Sequence, residues 1–169
     1  MKNKLKKQTN SFFYAFQGLF SVLNTEGHMR FHLVTAVFVV AFVLKFYELD
    51  AASWAVLALT ISSVWVTEII NTAIEKVCDT ITKEYNKNIK YIKDICAGAV
   101  LITAFASIIV AFILLFDVNA FKNMYTYFVK TDIWALFVLI AGIILGILFV
   151  AIKPEKYLKF LKEKPENKQ

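Results

Sequence analysis

Two uncharged runs constrain the fold of this chain more than any other feature of its sequence. Residues 95–116 are 22 consecutive residues without a charged side chain, and residues 133–152 are 20. A helix rises about 1.5 Å per residue, so each run is long enough to cross a hydrocarbon core of about 30 Å. Because unpaired backbone polar groups are costly in lipid, such runs cross as helices. We therefore predict an all-α integral membrane protein.

Three further segments complete the predicted architecture. Between residues 11 and about 32, apolar residues recur at helical spacing, which predicts an amphipathic helix at the membrane surface. A first span follows at about residues 31–47, with Lys45 placed to reach the interface. The next span covers about residues 52–70 and continues into a polar stripe. Polar residues appear early and no small-residue cleavage site follows, which argues against a signal peptide.

These segments divide the chain into three parts. Residues 1–10 form a basic tail, residues 11–116 a core with three spans, and residues 117–169 a loop, a fourth span and a Lys-rich tail. With 59% hydrophobic residues and a mean hydropathy of +0.60, the composition excludes an ordinary soluble domain. No basic face with base-stacking aromatic residues is present, so we predict no nucleic-acid partner.

Positive charge predicts the orientation of the spans. Lys residues cluster in the N-terminal tail, in residues 76–93 and in the C-terminal tail, whereas residues 48–51 contain no Lys or Arg. Since cytoplasmic segments of membrane proteins carry an excess of Lys and Arg, both termini are expected in the cytoplasm. A bacterial cell membrane is the expected location.

A stripe of polar side chains follows the second span. At 100° per residue, its members fall within an arc of about 100° on one helical face; they are Glu68, Asn71, Thr72, Glu75 and Asp79. A carboxylate near lipid is costly unless it faces a protein interior, a partner or a metal, and Glu68 lies deepest. Carboxylates are also preferred ligands of Mg²⁺. The stripe therefore predicts metal-dependent chemistry at the cytoplasmic surface.

Two smaller clusters are expected at the same membrane face. Glu26, Arg30 and His32 lie where the surface helix meets the first span, and Lys93 and Asp94 precede the third span. Each cluster has a simpler interpretation. Glu26 and Arg30 have the i, i+4 spacing of an ordinary helix pair, and Lys commonly flanks a span. Likewise, Glu75 and Asp79 taken singly are typical of solvated residues, and His28 and His32 of interfacial packing.

The sequence has no glycine-rich loop of the kind that holds phosphate in many soluble kinases. Any nucleotide site must therefore use side chains. Phosphoryl transfer needs neutralised phosphates and an acceptor hydroxyl that is held in line and deprotonated. The three clusters contain residue types suited to both tasks.

Together these motifs resemble one family. Glu68-x-x-Asn71-Thr72-Ala73-Ile74-Glu75-x-x-x-Asp79, followed by Lys93-Asp94 and an Ala/Gly-rich helix start, is similar to the signature of the small prokaryotic membrane lipid kinases, the diacylglycerol kinase and undecaprenol kinase family. Phe13-Tyr14-Ala15-Phe16-x-Gly18 and Thr25-Glu26-x-x-Met29-Arg30-x-His32 resemble its N-terminal half. The resemblance runs from about Phe13 to Phe116, so the fourth span and the tail lie outside it.

The resemblance implies a role for each matched residue. Glu68 would be the general base, and Glu26 and Glu75 would hold Mg²⁺ on the phosphates of ATP. The remaining matched residues would position nucleotide and phosphate; they are Asn71, Asp79, Lys93 and Asp94. It also implies a homotrimer whose active sites are shared between neighbouring subunits.

The acceptor is the least determined part of this prediction. The stretch from Thr25 to His32 looks closer to the undecaprenol kinases of Gram-positive bacteria, which favours undecaprenol over diacylglycerol. Two other classes stay open: a cation-coupled transporter and a non-enzymatic membrane subunit that pairs its stripe with a partner. The transporter is disfavoured because the third and fourth spans contain no ionisable groups along the membrane depth.

Small residues and cysteines give weaker indications of how the helices pack and of whether a disulfide or metal site is present. Gly142-x-x-x-Gly146 in the fourth span could allow another helix to approach closely. The run Cys96-Ala97-Gly98-Ala99 would permit tight packing against the second span. Cys78 and Cys96 are expected near the cytoplasmic side, where a disulfide is not expected, and their spacing matches no metal motif.

Overall fold

The computed structural model describes the backbone of residues 2–151 and the side chains of residues 10–130 and 132–151. Its elements are α1 (Lys2–Thr25), α2 (Gly27–Phe46), α3 (Ala51–Ile81), α4 (Lys87–Leu115), α5 (Val118–Thr126), a π-helical segment (Tyr127–Thr131) and α6 (Ile133–Ala151). All regular elements of this part of the chain are helical. Four of them, α2, α3, α4 and α6, are long and apolar enough to cross a membrane. The all-α, four-span prediction is confirmed, and the Lys-rich tail from Lys153 lies outside the described residues.

The N-terminal helical segment is interrupted at Glu26. The amphipathic helix was predicted to run from residue 11 to about residue 32, but α1 begins at Lys2 and ends at Thr25. Glu26 has an extended backbone (φ −107°, ψ 120°), and α2 begins directly after it. The guanidinium group of Arg30 donates to the carbonyls of Leu23 and Asn24, which lose their helical partners at the break. The first span therefore starts earlier than predicted.

The connection between α4 and α6, predicted as a loop, is helical. The side chain of Asp117 caps α5 by accepting from the backbone N–H of Asn119 at 2.8 Å. In the following π-helical segment, the ring of Tyr127 lies 5.7 Å from that of Phe46 and 4.4 Å from Nζ of Lys45. This cation–π contact places the ammonium group beside an aromatic cluster at the end of α2. The sequence pattern missed α5 because the segment is short and only partly apolar.

The helices α3 and α4 form the central antiparallel pair of the fold. Their connection is short, since α3 ends at Ile81 and Asn86 already caps α4 by accepting from the N–H groups of residues 88 and 89. Hydroxyl groups of Thr67 and Thr103 meet at 2.9 Å between the two helices. At the opposite end, the Tyr47 hydroxyl donates to the carbonyl of Leu115 at 2.6 Å. The pair thus holds the polar stripe of α3 beside the first turns of α4.

Gly98, in the small-residue run at the start of α4, does not make a close helix contact within one chain. A Cβ added at this residue would meet nothing within 4 Å, so the expected tight contact with α3 is not made at Gly98. Cys78 and Cys96 are both free thiols, and Cys78 is buried. The close helix approach occurs instead at Gly142 and Gly146.

Candidate active site

The polar stripe of α3 runs from a buried end to an exposed end. Glu68 and Thr72 are 4% and 5% exposed, Glu75 is half-buried and Asp79 is exposed. Glu68 and Asp79 are eleven residues apart, which corresponds to about 16 Å along the helix axis. The stripe therefore offers one carboxylate shielded from water and others nearer the aqueous phase.

Asn71 and Glu75 form a polar pair in the middle of the stripe. The amide Nδ2 of Asn71 donates to Oε1 of Glu75 at 3.0 Å. Oδ1 of Asn71 is buried and has no hydrogen-bond partner among the described residues. A buried amide oxygen without a partner costs free energy, so this atom is suited to a ligand that brings a cation or a donor.

Glu26 joins the α1–α2 junction to the stripe. Its Oε1 lies 3.0 Å from Nζ of Lys76, one residue after Glu75 in α3. The i, i+4 pair with Arg30 considered from the sequence does not form, because Arg30 is turned towards backbone carbonyls. The partner of Glu26 could not be read from spacing, since it comes from another helix.

The start of α4 contributes charge at the same end of the fold. Nζ of Lys93 pairs with Oδ1 of Asp79, so two of the predicted site residues are in direct contact across α3 and α4. Asp94 instead pairs with Lys90 within α4, at 2.9 Å between exposed side chains. Exposed pairs of this kind contribute little to stability. Of the predicted site residues, Asp94 has the weakest connection to the stripe.

Glu75 shares the stripe of α3 with Glu68, and Glu26 contacts the same helix through its ion pair with Lys76. The three glutamates predicted from the sequence therefore lie in one region of the molecule. His28, interpreted from the sequence as an interfacial or packing residue, is exposed and lies two residues after Glu26 at the start of α2.

The donor atoms of the site suit a hard divalent cation but do not enclose one. Carboxylates and a free amide oxygen are oxygen ligands, the kind Mg²⁺ prefers. Among the described side chains, no three His, Cys, Asp or Glu residues converge closely enough to hold a metal ion. Mg²⁺ commonly binds through one or two carboxylates and completes its shell with water and substrate phosphates. The residues present fit that mode of binding.

An apolar cavity lies beside the buried end of the stripe. It has a volume of about 200 Å³ and is bounded by α2, α3 and α4. Val64 and Trp65, one turn before Glu68, line it together with His32, Thr60 and Ser107. The indole N–H of Trp65 is buried without a partner among the described residues. A hydrocarbon chain with a polar end group would match this mixture of lining atoms.

Comparison with known proteins identifies related sequences over the same region. The family model described as prokaryotic diacylglycerol kinase matches residues 13–115. A protein of a Synechocystis species named diacylglycerol kinase is 41% identical over 101 residues, which cover 59% of this chain and 57% of that protein. A Bacillus subtilis protein named undecaprenol kinase is 32% identical over 115 residues, covering 67% of this chain and 91% of the relative. The match with the Synechocystis protein thus spans little more than half of its length.

Proposed function

The chain belongs to the prokaryotic diacylglycerol kinase family, and on this premise we propose that it phosphorylates the hydroxyl group of a membrane lipid alcohol, with ATP as donor. We infer that undecaprenol is the preferred acceptor and that diacylglycerol is the alternative. The observation that carries the proposal is the burial of Glu68 on α3, one turn after the cavity-lining Val64 and Trp65 and on the same helix as the more exposed Glu75 and Asp79. The apolar cavity suits the hydrocarbon part of a lipid alcohol, whereas the charged side chains suit the phosphates of a nucleotide.

In the proposed reaction, Glu68 accepts the proton of the lipid hydroxyl as its oxygen attacks the γ-phosphorus of ATP. The bond from the γ-phosphorus to its bridging oxygen breaks, and ADP leaves. Lys93, oriented by its ion pair with Asp79, neutralises phosphate charge. Asn71 and Asp94 are assigned to nucleotide positioning by their place in the family signature. The assignment has more support for Asn71, whose Oδ1 has no partner within the described part of the chain, than for Asp94, which pairs with Lys90.

Glu26 and Glu75 are the proposed ligands of Mg²⁺. Glu26 contacts α3 through Lys76, and Glu75 accepts a hydrogen bond from Asn71 through Oε1. When bound, Mg²⁺ would neutralise the phosphate oxygens of ATP and increase the electrophilicity of phosphorus. Lys76, which pairs with Glu26, would then be released towards the phosphates or the solvent.

The choice of acceptor rests on the relatives and on one motif. The match with the relative named undecaprenol kinase covers 91% of that protein at 32% identity. The match with the relative named diacylglycerol kinase has a higher identity, 41%, but covers only 57% of that protein. The expected result of presenting both lipids with radiolabelled ATP is faster phosphorylation of undecaprenol. Faster labelling of diacylglycerol would reverse the acceptor assignment. Absence of labelling with either lipid would contradict the lipid kinase proposal.

We also propose that the charged end of the bundle, where Glu26, Glu75, Asp79 and Lys93 lie, faces the cytoplasm. ATP is a cytoplasmic metabolite, and the Lys-rich segment between α3 and α4 lies at this end. A single cysteine introduced at Asn88 in a chain without Cys78 and Cys96 should react with a membrane-impermeant maleimide only after cells are opened. A cysteine at Leu49, in the connection of α2 and α3, should react in intact cells. The reverse pattern would contradict the orientation.

A homotrimer with shared sites is the third element of the proposal. None of the residues of α4 is buried within one chain, although the helix is strongly apolar. The carboxylates described in one chain also fall short of a closed metal site. Both features are expected of a site completed by a neighbouring subunit, and the mass of the purified protein by light scattering tests this.

A further inference from the structure

The fourth span, α6, packs on α2 through two glycines. A Cβ added at Gly146 would lie 2.8 Å from Cγ1 of Val34, and one at Gly142 would lie 3.4 Å from Cζ of Phe38. The first distance is too short for any side chain without a shift of Val34. The Gly-x-x-x-Gly spacing noted in the sequence is therefore a contact surface within the chain.

Arg30 connects the same two helices at the charged end of the fold. It is 3% exposed, and its guanidinium group donates to the carbonyls of Leu23 and Asn24 through Nη1 and to that of Val150 through Nη2. Leu23 and Asn24 belong to the last turn of α1, and Val150 to the last described turn of α6. The C-terminal end of a helix carries partial negative charge, so the last turn of α1 stabilises this buried cation.

The sequence explains why the carbonyl of Val150 is free to accept. In a continuing helix, its partner would be the backbone N–H of residue 154, but that residue is Pro and has no N–H. Arg30 supplies a donor in place of the missing one. The bond therefore supplies the Val150 carbonyl with a donor that the backbone of residue 154 cannot provide.

The location of Arg30 links α6 to the candidate active site. Arg30 lies one helical turn after Glu26, and its backbone N–H bonds to the carbonyl of Glu26 at 3.3 Å. Its side chain holds the final turn of α1 on the other side of Glu26. The extended backbone of Glu26 is thus fixed from both sides by one residue, which is itself anchored on α6.

From these contacts we propose that α6 stabilises the α1–α2 junction of the kinase core through its contacts with α2 and Arg30, a role that we call the brace. Arg30 is the positioning residue through which α6 holds Glu26 in place. The family model ends at residue 115, so the brace lies outside the part of the chain that the family model matches. That α6 stabilises the junction is a structural proposal, which does not depend on the activity of the protein. That this contact affects nucleotide binding rests on the proposed function.

The structural part is tested by hydrogen exchange in the full chain. Gly146→Leu adds a side chain where even a Cβ collides with Val34, whereas Leu145→Phe adds bulk on the exposed face of the same helix. We expect the backbone amides of residues 24–28 to exchange about tenfold faster in the first variant, which corresponds to about 1.4 kcal/mol. The second variant should exchange at the rate of the unmodified protein. Equal rates in all three proteins would overturn the brace.

Arg30→Lys is the companion variant in case Gly146→Leu does not fold. A single ammonium group cannot reproduce the two-sided contact of a guanidinium fork, although charge and the α2–α6 surface are retained. The same acceleration of exchange at residues 24–28 is expected. Exchange at the rate of the unmodified protein would show that the fork does not hold the junction.

Kinetics distinguish positioning of Glu26 from general weakening of the fold. In Arg30→Lys, we expect the KM for Mg·ATP to rise about tenfold while the KM for the lipid alcohol stays unchanged, because Glu26 serves only the nucleotide side. An equal rise of both KM values would contradict the positioning role. If the unmodified protein phosphorylates neither lipid but the exchange result is obtained, the brace stands and the proposed function fails.

Discussion

Replacing Glu68 by Gln is expected to lower kcat for lipid phosphorylation by about 10²- to 10⁴-fold, the usual contribution of a general base. Gln has nearly the same shape as Glu, so the packing around this 4% exposed residue is retained. What it lacks is a carboxylate to accept the hydroxyl proton. Binding of Mg·ATP should be largely preserved, because the proposed nucleotide and metal ligands are other residues, further along α3, at the α1–α2 junction and at the start of α4.

The matched control is Glu48→Gln, which makes the same change in the connection of α2 and α3, at the opposite end of the bundle. It should leave turnover unchanged. Rates with saturating lipid and ATP measure kcat, and equilibrium binding of a fluorescent ATP analogue measures the nucleotide site. Normal turnover by purified Glu68→Gln protein would show that the base is another residue. Loss of nucleotide binding would place Glu68 on the nucleotide side instead.

Replacing Glu75 by Gln is expected to raise the Mg²⁺ concentration for half-maximal activity by about tenfold or more, a typical cost of altering a metal site. Mg²⁺ bound through one or two carboxylates loses a negatively charged ligand when either is neutralised. Asn71 donates to Oε1 of Glu75, and the amide oxygen introduced by the substitution can still accept that hydrogen bond, so local structure is preserved. The defect should therefore be partly overcome by excess Mg²⁺.

Glu84→Gln serves as the control for this prediction, since Glu84 is exposed in the connection of α3 and α4 at the same end of the protein. Titration of activity with Mg²⁺ at fixed free ATP separates the two variants. An unchanged Mg²⁺ requirement in Glu75→Gln would remove Glu75 from the metal site. A similar shift in both variants would indicate a general surface-charge effect.

Hydrophobic runs and helical periodicity predicted the spans and the shared face of the α3 stripe. Each uncharged run became a helix, because lipid leaves the backbone of such a run no other way to pair its polar groups. The sequence also predicted that Glu68 lies deepest along the second span and Asp79 nearest the water, and the structure buries Glu68 and exposes Asp79. The lipid kinase signature was recognisable because its polar spacings are unusual for a membrane helix.

The partners of the site residues were decided by the tertiary structure. Glu26 pairs with Lys76 rather than Arg30, and Arg30 binds the ends of α1 and α6. Periodicity states which side chains share a face of one helix, but it does not state how that face is rotated towards its neighbours. Likewise, the break at Glu26 depends on Arg30 satisfying carbonyls that a continuous helix would have satisfied. The sequence by itself determined the four membrane-spanning helices and the chemical character of the charged end, since both follow from local composition. Which atoms meet there depended on packing between helices far apart in the chain.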